Sequence, residues 1–195
     1  HYSFLLLSSF LMLSACELET RPAPLGRNGD QLEFSGRTWT VKGGPQLFGP
    51  GPNYFSQDIY SAFVDSNGYL HLNIRQLEDG RWYCSEVISN DVVGYGRYVW
   101  VVESDMVNIP DNTVLGLFTW DNNTFMAQAN SEVDIEFSRW GVASESKTLH
   151  MSVQPVWFGP FKPERTYGVE MPAAAANMHT THEFIWTDSL ISWKS

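Results

Sequence analysis

The chain has 195 residues, with 12 Lys plus Arg against 22 Asp plus Glu, a formal net charge of −10 and a sequence pI near 4.8. That length suits one domain, and so acidic a surface gives nucleic-acid phosphate nothing to condense on, which excludes a nucleic-acid partner. Hydrophobic residues make up 43% and aromatics 14%, against 17% charged, a composition too apolar and aromatic for a disordered chain.

The chain opens His1-Tyr2-Ser3 and continues through an apolar run from Phe4 to Leu13-Ser14-Ala15-Cys16. The run has the length of a signal-peptide core and is too short to cross a bilayer interior of about 30 Å as a helix. Leu-Ser-Ala-Cys resembles the bacterial lipobox, whose cysteine is lipidated and becomes the first residue of the mature chain. Residues 1–16 are therefore expected to be a signal peptide ending at the lipidation site Cys16. The protein would then be exported and lipid-anchored in the bacterial cell envelope; a buried N-terminal strand with an ordinary cysteine is the alternative. The basic segment that precedes such a core is absent, so the chain reads as a fragment. Residues 17–30 carry Pro22, Pro24, Gly26 and Gly29 with no apolar period, the composition of a tether. With Cys16 lipidated, Cys84 has no disulfide partner, and beside Trp82 and Tyr83 it reads as a half-buried strand position.

From Gln31 to Ser195 short runs of Val, Ile, Tyr, Phe and Trp alternate with turn clusters. Strands are predicted over Tyr69–Ile74, Tyr98–Val102, Val114–Trp120, Val133–Phe137, Leu149–Val153 and Phe184–Trp186. Turns fall at Ser66-Asn67-Gly68, Glu78-Asp79-Gly80, Pro110-Asp111-Asn112 and Asp121-Asn122-Asn123. The one helix-friendly stretch, Ala173–Met178, is too short to hold itself. The class is all-β, an antiparallel sandwich or barrel. The chain stops in mid-pattern at Ile191-Ser192-Trp193-Lys194-Ser195, so the C-terminal strands are expected to be missing.

Glu132-Val133-Asp134-Ile135-Glu136-Phe137 is the most informative stretch. Side chains alternate along a strand, so Val133, Ile135 and Phe137 would enter a core while Glu132, Asp134 and Glu136 share the other face. Nothing basic lies within the run to offset three neighbouring acids. A solvated edge and a divalent-cation site are alternatives to acid–base chemistry, but edges are blunted with Lys rather than acids, and cation sites draw on loops.

Glu-Val-Asp-Ile-Glu-Phe resembles the active-site strand of glycoside hydrolase family 16, written Glu-x-Asp-x-Glu. Gly94-Tyr95-Gly96-Arg97-Tyr98, Gly116-Leu117-Phe118-Thr119-Trp120 and His182-Glu183-Phe184-Ile185-Trp186 add to the resemblance, which spans Phe34 to Ser195. It implies a concanavalin-like jelly roll over residues 31–195 and a retaining endo-β-glucanase acting on β-1,3/1,4-linked polysaccharide. Transglycosylation, or carbohydrate binding without catalysis, are the competing functions. By position Glu132 would be the nucleophile, Glu136 the general acid/base and Asp134 the assisting residue. Double displacement needs one ionised carboxylate and one protonated carboxyl, and Asp134 between them would hold Glu136 protonated by repulsion. Four residues of strand separate Cα atoms by about 13 Å, whereas retaining carboxyls sit about 5–5.5 Å apart, so the strand must curve. Ser138-Arg139-Trp140-Gly141 departs from the Leu-Gly that commonly follows in lichenases, which leaves the linkage open.

The same alternation nominates substrate-binding residues. His150, Ser152 and Gln154 oppose Leu149, Met151 and Val153, and the polar set would face the sugar. Trp120, then Trp140 and Trp157, are stacking candidates. His179 and His182 form a His-x-x-His pair whose members face opposite ways on a strand, so no metal site is expected, and His182 would hydrogen-bond at the groove edge. No cofactor is required, a structural Ca²⁺ is left open, and a monomer is expected.

Overall fold

The computed structural model describes residues 25–124, 129–156 and 165–195; the 1–16 segment with Cys16, and Trp157, lie outside the described residues. The chain divides into two compact units, His1–Val93 and Gly94–Ser195.

The first unit contains Arg27–Asn28 (β1), Gln31–Phe34 (β2), Arg37–Val41 (β3), Tyr54–Phe55 (β4), Ala62–Val64 (β5), Leu70–Leu72 (β6), Arg75–Gln76 (β7), Trp82–Cys84 (β8) and Val87–Ser89 (β9). They form sheets in the orders β1-β2-β3-β9, β4-β8-β7 and β5-β6. All pairs are antiparallel except β4 with β8. Ser35 and Gly36 join β2 to β3 with φ of 53° and 72°, the doubly left-handed turn whose twist matches that of the strands it joins. The end of the expected tether is built into this unit: Leu25 donates its amide to Val64 O at 2.8 Å, and β1 pairs with β2. Leu32, Val41, Ala62 and Val64 form its core, with Trp39, Leu70 and Val87 packed around them. Cys84 is half-buried, and burial pushes its thiol up.

The second unit contains Gly96–Val102 (β10), Val114–Phe118 (β11), Val133–Ser138 (β12), Lys147–Val153 (β13), Thr166–Glu170 (β14), Thr180–Trp186 (β15) and Ile191–Lys194 (β16). Two antiparallel sheets result, β10-β15-β16 and β11-β12-β13-β14. The predicted strands recur with small shifts at their ends, and Ala173–Asn177 closes into a single 3-10 segment after Pro172.

Register explains the core of this unit. Leu115 and Leu117 on β11 stand opposite Phe137 and Ile135 on β12, which stand opposite Leu149 and Met151 on β13. This apolar face meets Tyr98, Trp100, Phe184, Trp186 and Trp193 of the other sheet. Val133, Ile135 and Phe137 are 1%, 0% and 0% exposed. Burial of each such side chain contributes roughly 1.5–3 kcal/mol, which pins the register, since a one-residue slip would drive the acids into the core.

Candidate active site on β12

The face of β12 opposite the core carries the acids. Asp134 lies between Phe118 on β11 and Ser152 on β13, and Glu136 lies between Gly116 and His150. Glu132 stands one residue before the strand, but pairing continues through it: Gln154 N donates to Glu132 O at 3.0 Å. Thr119 fixes this end. Its Oγ donates to Ser131 O at 2.9 Å and accepts from Val133 N at 3.1 Å. Ala129, Asn130 and Ser131 enter the strand with φ of 44°, 61° and 51°. These left-handed non-glycine conformations store strain immediately before Glu132.

The acids interact. Glu132 and Asp134 share a side-chain hydrogen bond. Burial raises the pKa of both, with the charge of Glu136 adding to the rise at Glu132 and the charge of Glu132 adding to that at Asp134. Asp134 is only 3% exposed. Glu136 is pushed up to about 7, first by burial and second by the charge of Asp134. Repulsion alone was the expected cause of a protonated Glu136; desolvation leads instead, because β11 and β13 flank the carboxyl on both sides.

Gln154 belongs to the acid cluster. Its Nε2 donates to Asp134 Oδ2 at 3.1 Å, while its Oε1 accepts from Val156 N at 3.1 Å and so orients the amide. His150 is half-buried beside Glu136 and donates from Nε2 to Ser138 O at 3.2 Å. Trp140 is 50% exposed, with φ of 54°, and its ring meets His150 edge to face with centroids 5.5 Å apart. Trp120 is 52% exposed and donates from Nε1 to Asn122 Oδ1 at 2.8 Å. Extending the β11–β12 register by two residues sets Trp120 at the Glu132 end of the acid row, with Trp140 beyond the Glu136 end.

His182 corrects a sequence expectation. It is 1% exposed and lies within the core rather than at a groove edge, its ring edge-on to Phe137 at 4.8 Å. Thr180 Oγ lies 2.7 Å from His182 Nε2 and Ser195 Oγ 3.0 Å from Nδ1. His179 pairs instead with Glu103 at 3.2 Å. Among the described residues no group of three or more His, Cys, Asp and Glu side chains is arranged to hold a metal ion.

Two contributors escaped the sequence reading. Gly116, opposite Glu136, leaves the β11 side of that carboxyl without a side chain. Lys147 reaches the acid face because the β13–β14 register shifts between Lys147 and Leu149. The glycine within Gly116-Leu117-Phe118 was a usable signal for the first; a bulge has no comparable signature.

No protein-family model matches the chain, and no curated protein matches it in sequence. In structure it is similar to a Bacillus licheniformis beta-glucanase, with a TM-score of 0.58 at 18% identity, covering 89% of this chain and 71% of that one. The likeness establishes the fold, a β-glucanase-type jelly roll.

Proposed function

We propose that the protein is a retaining, endo-acting glycoside hydrolase that cleaves β-1,3/1,4-glucan by double displacement. The observation that carries this reading is the acid row itself: Glu132, Asp134 and Glu136 share the face of β12 opposite the core, the first two hydrogen-bonded to each other, and burial raises all three carboxyls to about 7. The glucanase-type fold supports a polysaccharide substrate.

In the first step Glu132 carboxylate attacks the anomeric carbon as the glycosidic C–O bond breaks, and the proton of Glu136 passes to the leaving oxygen. In the second, Glu136 as carboxylate takes a proton from water, whose oxygen attacks the same carbon and releases Glu132. Asp134, holding a proton against Glu132, steadies the negative charge of the nucleophile before attack and after release. A transglycosylase would follow the same steps with a sugar hydroxyl in place of water. The chain is further proposed to be an exported lipoprotein attached through Cys16 and to act as a monomer.

The test is incubation with barley β-glucan, laminarin and xyloglucan beside a Glu132→Gln variant. Reducing ends released by the wild type and lost in the variant, with polysaccharide binding kept, support the enzyme. Equal activity in both removes Glu132 as nucleophile, and binding without cleavage by the wild type makes the protein a carbohydrate-binding jelly roll.

A further inference from the structure

A cross-sheet row runs beside the proposed acid/base: Gly116, Glu136, His150 and Gly168 stand opposite one another on β11, β12, β13 and β14. Gly168 leaves a gap that two neighbours fill. A Cβ placed there would lie 3.2 Å from His150 Nδ1 and 3.3 Å from Lys147 Cδ. The lysine stem and the imidazole thus converge on one point of the acid face.

Strict alternation would send Lys147 to the same side as Leu149, into the core. The register shift between them turns it outward onto the acid face, the re-aiming that bulges perform beside functional sites. Its side chain is exposed, and among the described residues its ammonium has no ion-pair or hydrogen-bond partner. His150 spends its Nε2 proton on Ser138 O, which leaves Nδ1 as an acceptor over the glycine gap. Trp140 walls the other side of the imidazole. An unpaired cation, an imidazole acceptor and an aromatic plate are thus gathered at the Glu136 end of the row, in a chain of net charge −10.

We propose that Lys147, His150 and Trp140 form a subsite for an anionic sugar, bearing a carboxylate or a sulfate ester, in the leaving-group half of the substrate. The inference rests on the glycosidase reading above, because Glu136 protonates the leaving oxygen and its neighbours in the row therefore meet the leaving sugar. Trp140 offers a face to the sugar ring, His150 Nδ1 accepts from a hydroxyl, and Lys147 meets the anion.

The test compares barley β-glucan with its carboxymethylated and sulfated derivatives, by affinity gel electrophoresis and by initial rates. Wild type is expected to bind at least one derivative more tightly than the neutral polymer. Lys147→Met is expected to lower that anionic-to-neutral ratio roughly fivefold, Lys147→Arg to restore most of it, and added salt to erase it. Lys194→Met, the same charge change on β16, leaves the ratio in place. The derivative that shows the larger effect identifies the anion. A ratio equal in wild type and Lys147→Met, or no preference in the wild type, overturns the subsite. Glu132→Gln, run in parallel, reports on the glycosidase reading separately: its cleavage can fail while the binding ratio still decides the role of Lys147.

Discussion

Gln154 grips Asp134 from the neighbouring strand, its Nε2 donating to Oδ2 at 3.1 Å, while its backbone N–H holds Glu132 O at 3.0 Å. The amide favours the ionised form of Asp134 and opposes the effect of burial there. Removing it in Gln154→Ala lets Asp134 keep its proton, the form that supports the Glu132 carboxylate, to higher pH, so the alkaline limb of the pH profile of kcat/KM is expected to move to higher pH. A profile that drops without moving would reduce Gln154 to a packing contact.

The acids also act on stability. The folded state holds Glu136 at about 7 against an ordinary 4.5, mainly through burial. The native protein therefore binds a proton that the unfolded chain releases, so this group's contribution is full below about pH 4.5 and is lost as pH rises through 7. Glu136→Gln removes the titration. Its melting temperature should match the wild type near pH 4.5 and exceed it by a few degrees at pH 8, as read by scanning calorimetry. Equal slopes against pH in the two proteins would show that Glu136 does not retain its proton.

Much of this site was legible in Val133-Asp134-Ile135-Glu136-Phe137 because β alternation is local: apolar and acidic sets must part to opposite faces. What held Glu136 protonated was not legible, since desolvation comes from strands distant in sequence. Alternation sets Gln154 on the polar side of its strand, but its bond to Asp134 depends on the pairing of β12 with β13. The face of β15 that turns inward was also not local. Thr180, His182, Phe184 and Trp186 alternate with Thr181, Glu183 and Ile185, neither set wholly polar nor wholly apolar, and packing against Phe137 puts His182 inside.

That buried histidine titrates in the opposite sense to the acids. Burial lowers its pKa below 6.5, so the native state resists a proton that the unfolded chain accepts. Its contribution is full above the unfolded value and is lost as pH falls below it. His182→Gln gives up the bond geometry to Thr180 and the contact with Phe137, and it is expected to melt lower than wild type at pH 7.5. The difference should narrow at pH 5, where only the wild type bears the penalty of a buried imidazole. A difference constant across that range would mean that His182 stays uncharged, or charges freely, in both states.

Arg139 binds the segment after β12 to the loop before β11. Its guanidinium donates to Val107 O at 2.9 Å, to Ile109 O at 3.3 Å and to Glu145 O, with Asp111 3.9 Å away. One planar fork thus meets several carbonyls from two loops, a geometry that an ammonium cannot reproduce. Arg139→Lys should cost roughly 2 kcal/mol, about one net unit for each of two lost bonds. The adjacent Trp140 would be freed from its fixed place against His150. If Trp140 meets the polysaccharide, KM for β-glucan rises more than kcat falls, since binding surface is disturbed while the acid row keeps its own register on β11 and β13. A lower melting point with both kinetic constants intact would make Arg139 a structural clasp alone and remove Trp140 from the substrate path.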